Sequence, residues 1–172
     1  MAKRTIILDF DGTIVDDMQA LAALGTYTIN KYFGVSIRTA REMYWSTVGR
    51  PFAQQLIMLG YYPPTKSSAA AATEYELAKV AVTIGSPPTR WFSKFMQVGA
   101  PATVASATGA ALIYKWFDVW QPWLSGGMIE VVQYNKEECL TRFKGVPATF
   151  YGDTDYDEEL AGKVGIKFVR VK

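Results

Sequence analysis

The chain has 172 residues, of which 49% are hydrophobic and 14% aromatic, ample for a packed core. Its 18 basic and 16 acidic side chains give a formal net charge of +2, and no run of like charge indicates a nucleic-acid arm or an anionic-membrane surface. One cysteine, Cys139, and no histidine exclude an internal disulfide, zinc sites built on paired thiolates, and imidazole catalysis, so any catalysis must use carboxylates, lysine or hydroxyls.

The first predicted element is a strand, "TIILDF" at residues 5–10. After it the texture changes, because residues from about 17 to 85 favour helices. They include the alanine-rich "SSAAAATEYELAKVAV", for which we expect a serine cap. The stretches "YYPP" and "SPP" are typical of a helix junction and a return linker.

Beyond this region, strands alternate with helices. We predict strands at 102–107, 128–134, 147–153 and 166–171, and helices at 108–117 and 137–143. Strands that are apolar throughout and separated by helices indicate a parallel sheet covered on both faces. The sequence therefore predicts an α/β fold, with a doubly wound, Rossmann-like core at 1–15 and 88–172. A small all-helical cap at 16–87 is inserted after the first strand, above the edge where such folds bind ligands.

Two acidic clusters follow apolar strands. Asp9 lies at the carboxyl end of the first predicted strand, Asp11 follows in a turn made by "GT", and Asp153 opens the cluster "DTDYDEE". Because parallel strands end at one edge of a sheet, these carboxylates should meet there. A site of three or four carboxylates without imidazole or thiolate suits Mg²⁺ that shares a phosphate, so the substrate is expected to be a phosphate ester.

Four motifs resemble, in order and approximate spacing, those of the haloacid dehalogenase-like superfamily. They are "DFDGT", "TVAS" ending at Ser106, Lys136 before a predicted helix, and the Gly-Asp-x-x-x-Asp pattern of "GDTDYD". The resemblance covers roughly residues 5–15 and 90–171. The helical region resembles the inserted cap of the phosphoglycolate phosphatase and β-phosphoglucomutase branch, where a stretch similar to "VGRPF" (48–52) is common.

The resemblance implies a role for each matching residue. Asp9 would be the nucleophile that forms an aspartyl-phosphate, and Asp11 the general acid and base. An acid at Asp11 favours phosphoryl transfer over dehalogenation. The residues implied for phosphate binding are Gly12, Ser106, Ala107 through its backbone N–H, and Lys136. The residues implied for the magnesium site are Asp9, the backbone carbonyl of Asp11, Asp153 and Asp157.

Some of these residues also allow plainer interpretations. "DFDGT" could be a hairpin turn, but no strand-length partner follows Val15. A calcium loop at "DTDYDE" lacks the required glycine and glutamate, which are replaced by Glu158 and Val164. Ser106 could be only a helix cap, and Lys144 competes with Lys136 for the phosphate. The tryptophans at 116, 120 and 123 are more typical of core than of base stacking.

We therefore expect a Mg²⁺-dependent phosphatase acting on a small phosphorylated metabolite, with a phosphosugar mutase or a catalytically idle phosphate-binding regulatory protein as alternatives. We expect a monomer or homodimer that binds neither nucleic acid nor membrane. No apolar stretch approaches the roughly 20 residues of a membrane span. The apolar run after Lys3 and Arg4 is too short for a signal peptide, which favours a cytoplasmic location.

Overall fold

The computed structural model describes residues 5–61, 65–96, 102–122, 129–132 and 135–171. The chain divides into two compact units. One consists of Met1–Asp16 and Ser86–Lys172, and the other of Asp17–Gly85. None of the helices in the described ranges combines the length and apolar character needed to cross a bilayer.

The first unit contains a five-stranded sheet in which all neighbouring strands pair in parallel. Its strands are β1 (Thr5–Leu8), β2 (Ala102–Ala105), β3 (Ile129–Val132), β4 (Ala148–Gly152) and β5 (Lys167–Arg170). The order across the sheet is β3-β2-β1-β4-β5, which places β1 in the centre. Leu8 pairs with Val104 on one side and Tyr151 on the other, so the residues after β1, β2 and β4 leave the sheet at one edge.

Eight helices occur within the described residues. They are α1 (Met18–Phe33), α2 (Ile37–Thr47), α3 (Phe52–Met58), α4 (Lys66–Gly85), α5 (Arg90–Phe95), α6 (Ala110–Trp120), α7 (Lys136–Thr141) and α8 (Asp155–Val164). The last four belong to the first unit, where they alternate with the strands as a doubly wound α/β fold requires. The predicted fold class is therefore confirmed.

Apolar side chains on the two faces of the sheet form the core of the first unit. One cluster joins β1, β2 and β4 to α7 and α8, and its buried members are Ile7, Ala105, Cys139, Leu140, Ala148, Phe150, Leu160, Ala161, Val164 and Ile166. A second group is aromatic, with Trp116 in edge contact with Phe10, Phe92 and Phe117. Trp116 is fully buried and donates its Nε1 hydrogen to Ser86 O at 2.9 Å, so it is a core residue as expected.

The second unit is all helical, and it has a core of its own. The buried members are Leu21, Ala22, Ile29, Ala40, Tyr44, Phe52, Leu56, Ala71 and Tyr75, drawn from α1 to α4. Tyr75 stacks on Phe52 with ring centroids 4.0 Å apart and shares a 3.1 Å hydrogen bond with the Tyr44 hydroxyl. The long helix α4 begins earlier than predicted, and its first turn is held by Thr65, whose Oγ1 accepts from Ser68 N. The predicted serine cap is wrong, because the serines lie inside the helix.

The predicted strands that became β1, β2, β4 and β5 are each two residues longer than the observed strands. The predicted strand 5–10 ends at Leu8, because the carbonyl of Phe10 accepts from the N–H groups of Thr13, Ile14 and Val15 and turns the chain. Lys136 is the first residue of α7 and does not precede it. Residues 62–64 of "YYPP", Trp123 and residues 128, 133 and 134 of the third predicted strand lie outside the described residues.

Candidate active site

The turn after β1 carries the first two acidic residues. Asp9 is 3% exposed, and its N–H still donates to Tyr151 O at 2.9 Å, so it remains fixed against β4. Gly12 has φ +75°, in the left-handed region that favours glycine, and its N–H donates to Val15 O at 2.9 Å. This turn presents Asp11 at the same edge of the sheet, where its side chain is partly buried.

The turn after β2 contacts Asp11 directly. Ser106 is 2% exposed, and its Oγ accepts a 3.0 Å hydrogen bond from Thr108 N, which folds residues 106–109 into a tight turn before α6. Thr108 is also buried, and its hydroxyl donates to Asp11 Oδ2 at 2.6 Å. The exits of β1 and β2 are thus joined through side chains 97 residues apart.

The turn after β4 brings in two more carboxylates. Asp153 follows the strand, and Asp157 lies in the first turn of α8 with no exposed surface. A capping box fixes Asp157: its Oδ2 accepts from Thr154 N at 3.1 Å and from Thr154 Oγ1 at 2.7 Å. A Cβ at Gly152 would lie only 2.7 Å from Asp157 Cγ, so a glycine is required where the strand passes this carboxylate.

Lys136 is the cation of the site. It begins α7 after an Asn135 cap, and its side chain is 4% exposed. Its Nζ lies 2.9 Å from Asp9 Oδ1 and 2.7 Å from Asp157 Oδ1. One ammonium therefore bridges carboxylates that arise from β1 and from α8.

Asp9, Asp153 and Asp157 form a compact acidic cluster. One carboxylate oxygen from each lies within 4.8 Å of the others. Burial and the neighbouring Asp157 raise the pKa of Asp9 well above its ordinary value, although Lys136 opposes the shift. Burial and Asp157 likewise raise the pKa of Asp153 to about 7. Burial alone would lower the pKa of Lys136, but Asp157 and Asp9 outweigh it, so the pKa is raised and the ammonium stays charged.

The composition of this cluster fits a divalent cation. Three ionised carboxylates and one ammonium have a net charge of −2. One divalent cation would neutralise that charge. The donors are all oxygen atoms, which suits a hard ion such as Mg²⁺. Asp153 Oδ1 is buried and has no hydrogen-bond partner among the described residues, so this oxygen is available as a ligand for a cation.

The structure brings most of the predicted site residues to one sheet edge. Asp9, Asp153, Asp157 and Lys136 are in direct or near contact, whereas Lys144 is exposed. The other predicted residues lie in the turns at that edge: Asp11 and Gly12 after β1, Ser106 and Ala107 after β2. The N–H of Gly12 has an acceptor within its own turn, so a part for Gly12 in phosphate binding stays a prediction.

Three residues of this edge were not foreseen as site residues. The capping role of Thr154 is written in the sequence as Thr-x-x-Asp, a capping-box pattern that ends at Asp157. Gly152 was recognised as part of a motif, but its close approach to Asp157 was not. The contact of Thr108 with Asp11 has no local signal, because it depends on the pairing of β1 with β2.

Comparisons with known proteins find similarity in structure only. No protein-family model and no curated protein matches the sequence. A hydrolase from Pseudomonas syringae superimposes with a TM-score of 0.74 at 14% identity, covering 98% of this chain and 84% of that one. A haloacid dehalogenase-like family hydrolase from Streptococcus pneumoniae gives 0.68 at 17% identity, with coverage of 98% and 84%. A predicted phosphoglycolate phosphatase from Haemophilus somnus gives 0.63 at 14% identity, with coverage of 97% and 84%.

These likenesses establish the fold. The chain has the α/β fold of the haloacid dehalogenase-like hydrolases, and the resemblance inferred from the four motifs is confirmed at that level. At such identities the comparisons carry no residue roles, which rest on the geometry of the site.

Proposed function

We propose that the protein is a divalent-metal-dependent phosphatase that hydrolyses a small phosphorylated metabolite through an aspartyl-phosphate intermediate formed on Asp9. The observation that carries the proposal is the buried cluster of Asp9, Asp153 and Asp157 with Lys136 bridging two of its members. Hydrolase and phosphatase names among proteins of the same fold support it.

In this proposal Asp9 and Asp11 divide the chemistry between them. A carboxylate oxygen of Asp9 attacks phosphorus while the bond to the leaving oxygen breaks, and Asp11 gives that oxygen its proton. Asp11, now ionised, then takes a proton from the water that attacks the phosphoryl group on Asp9. Inorganic phosphate leaves, the Asp9 carboxylate is restored, and Asp11 is protonated again.

The remaining residues of the edge hold charge in place. Lys136 is fixed by two carboxylates with its ammonium group beside the Asp9 oxygen, where it can neutralise a phosphoryl oxygen. Ser106 Oγ accepts a hydrogen bond from Thr108 N. We propose that the Ser106 hydroxyl in turn donates a hydrogen bond to a phosphoryl oxygen. We propose that the backbone N–H of Ala107 donates a second hydrogen bond to the phosphoryl group.

The metal would be held by Asp9, Asp153 and Asp157, with the Asp11 backbone carbonyl as a further ligand. Mg²⁺ is the ion we propose, because the donors are hard oxygens. When bound, it supplies positive charge that favours the ionised carboxylates and offsets the charge of the phosphoryl oxygens.

The wider setting follows from the same proposal. We assign the helical unit at 17–85 as a cap that selects the substrate, and we infer a monomer or homodimer. The single cysteine, Cys139, is buried, and burial raises its thiol pKa to about 11, so it is an unreactive core residue that suits a reducing cytoplasm.

The proposal is tested by phosphate release from p-nitrophenyl phosphate and a panel of small phosphorylated metabolites, with Mg²⁺ and with EDTA. We expect metal-dependent release by the wild type and none by Asp9→Asn. The matched control is Asp118→Asn, because Asp118 is exposed near the C-terminal end of α6 and is not a member of the acidic cluster, so this variant should keep wild-type turnover.

The contrary results are equally specific. Full turnover by Asp9→Asn would refute the mechanism. If folded wild type releases no phosphate from any compound, isomer exchange on an added hexose phosphate would identify a mutase, and binding of phosphate analogues without exchange would identify an idle binding protein.

A further inference from the structure

We propose that Thr108 is a positioning residue for Asp11, an inference that rests on the proposed phosphatase function and extends it. Its hydroxyl donates to Asp11 Oδ2 at 2.6 Å, a short bond of the kind made to charged or strongly accepting oxygens. Thr108 is 4% exposed, so water does not readily replace this contact.

The position of Thr108 is itself fixed. Its backbone N–H donates to Ser106 Oγ at 3.0 Å, and Ser106 follows β2 directly. β2 pairs with β1 in parallel register, with Val104 opposite Leu8. The hydroxyl therefore stands on the neighbouring strand, on a turn with its own internal hydrogen bond, and reaches across to the carboxylate.

Asp11 needs such support more than Asp9 does. Asp9 is held by an ion pair with Lys136 and by its backbone hydrogen bond to Tyr151, whereas Asp11 lies further along the turn that follows β1. A general acid and base must hold the angle of its carboxyl group toward the leaving oxygen, and then toward water, in two separate steps. Since Thr108 occupies Oδ2, we assign the transferred proton to Oδ1.

This role predicts a particular kinetic signature. Loss of the hydroxyl should slow proton delivery, and the effect should grow as the leaving oxygen becomes a weaker acid. Phenyl phosphate requires that proton more than p-nitrophenyl phosphate does. A residue needed only for folding or for binding the phosphoryl group would affect both substrates alike.

The experiment compares wild type with Thr108→Val, Thr108→Ser and Thr149→Val. Thr149 is a matched control, because it is 2% exposed on β4 and its Oγ1 has no hydrogen-bond partner among the described residues. For Thr108→Val we expect kcat/KM on phenyl phosphate to fall about 10- to 100-fold, and clearly less on p-nitrophenyl phosphate. Thr108→Ser should stay within about threefold of wild type, as should Thr149→Val.

Two results would overturn the inference while the phosphatase proposal stands. One is an equal loss on both substrates in Thr108→Val, and the other is a serine variant as impaired as the valine variant. A wild type that turns over neither substrate would instead contradict the proposed function.

Crystal structures of wild type and Thr108→Val then provide a readout that does not need turnover. The inference expects the Asp11 carboxylate to rotate away from its wild-type position in the variant, and an unmoved carboxylate would refute it.

Discussion

Lys136 is the residue on which the charge balance of the site depends. It is nearly fully buried and contacts Asp9 and Asp157 at 2.9 and 2.7 Å. Removing one partner of a buried ion pair leaves an uncompensated charge, which costs about 3–5 kcal/mol. We therefore expect Lys136→Met to lower the free energy of unfolding by about that amount in metal-free buffer near neutral pH, as measured by urea denaturation.

Lys144→Met is the matched control for this prediction. Lys144 is exposed just beyond α7, so the change should alter the free energy of unfolding by less than about 0.5 kcal/mol. Equal stability of Lys136→Met and wild type would show that the ammonium does not balance the cluster.

At the scale of single residues, sequence reasoning succeeded where a motif places chemistry beside a strand end. Asp9 and Asp153 follow predicted strands of the core, so their meeting could be expected because parallel strands end at one edge of a sheet. Lys136 was placed beside them by its match to a motif. The hydroxyl of Thr108 could not be placed in this way. A threonine three residues beyond a strand has several possible rotamers and partners, and only the tertiary structure selects Asp11.

At the scale of elements, the junction of β4 with α8 depends on a close approach. A Cβ at Gly152 would lie 2.7 Å from Asp157 Cβ and Cγ, so Gly152→Ala must displace a carboxylate that Thr154 and Lys136 hold. We expect a loss of about 1–3 kcal/mol in the free energy of unfolding, as for an overpacked core. Mg²⁺ affinity, measured by titration calorimetry, should fall as well.

Gly162, in the helix that follows β4, offers the opposite outcome. It lies in the interior of α8, and a Cβ there meets nothing within 4 Å. Gly162→Ala should therefore raise the free energy of unfolding by about 0.5–1 kcal/mol and leave Mg²⁺ affinity unchanged. If the two variants behaved alike in urea and in calorimetry, the close approach at Gly152 would have no bearing on Asp157.

The ends of elements were the least predictable feature of the fold. The apolar run at 5–10 favours a strand over its whole length, but the chain leaves the ladder after Leu8, where Phe10 O begins to accept turn hydrogen bonds. Likewise, the serines at 67 and 68 favour a cap by composition, whereas Thr65 makes the capping contact. Such boundaries are decided by competing hydrogen bonds that the hydrophobic pattern does not record.

At the scale of the whole molecule, the alternation of strands and helices was sufficient to predict the sheet. Runs of apolar residues at regular spacing leave few arrangements other than a parallel, doubly wound core, and the observed order β3-β2-β1-β4-β5 is of that kind. The function of the helical unit could not be predicted in the same way. Its apolar residues form the core of that unit, and they carry no information about which substrate it would select.

Stability of the whole molecule should depend on pH in a direction set by the acidic cluster. The pKa of Asp153 is raised to about 7 in the folded protein, mainly by burial, and the pKa of Asp9 is raised as well. In the unfolded chain both groups titrate near their ordinary value of about 4. Between these values the folded state binds more protons than the unfolded state, so this contribution to stability is present at low pH and is lost as pH rises through about 7.

We therefore expect the metal-free protein to lose stability relative to Asp153→Asn as pH rises from about 5 to about 7.5, because the amide does not titrate. Mg²⁺ should oppose this loss, since it binds the ionised carboxylates of the folded state, and its stabilising effect should be much larger at the higher pH. Urea denaturation of both proteins at the two pH values, with Mg²⁺ and with EDTA, measures the stabilisation by Mg²⁺ of each protein at each pH. The EDTA samples give the pH dependence of the metal-free proteins. A stability difference that does not change with pH would mean that Asp153 titrates like an exposed carboxyl group. Equal stabilisation by Mg²⁺ in wild type and Asp153→Asn would place the ion elsewhere.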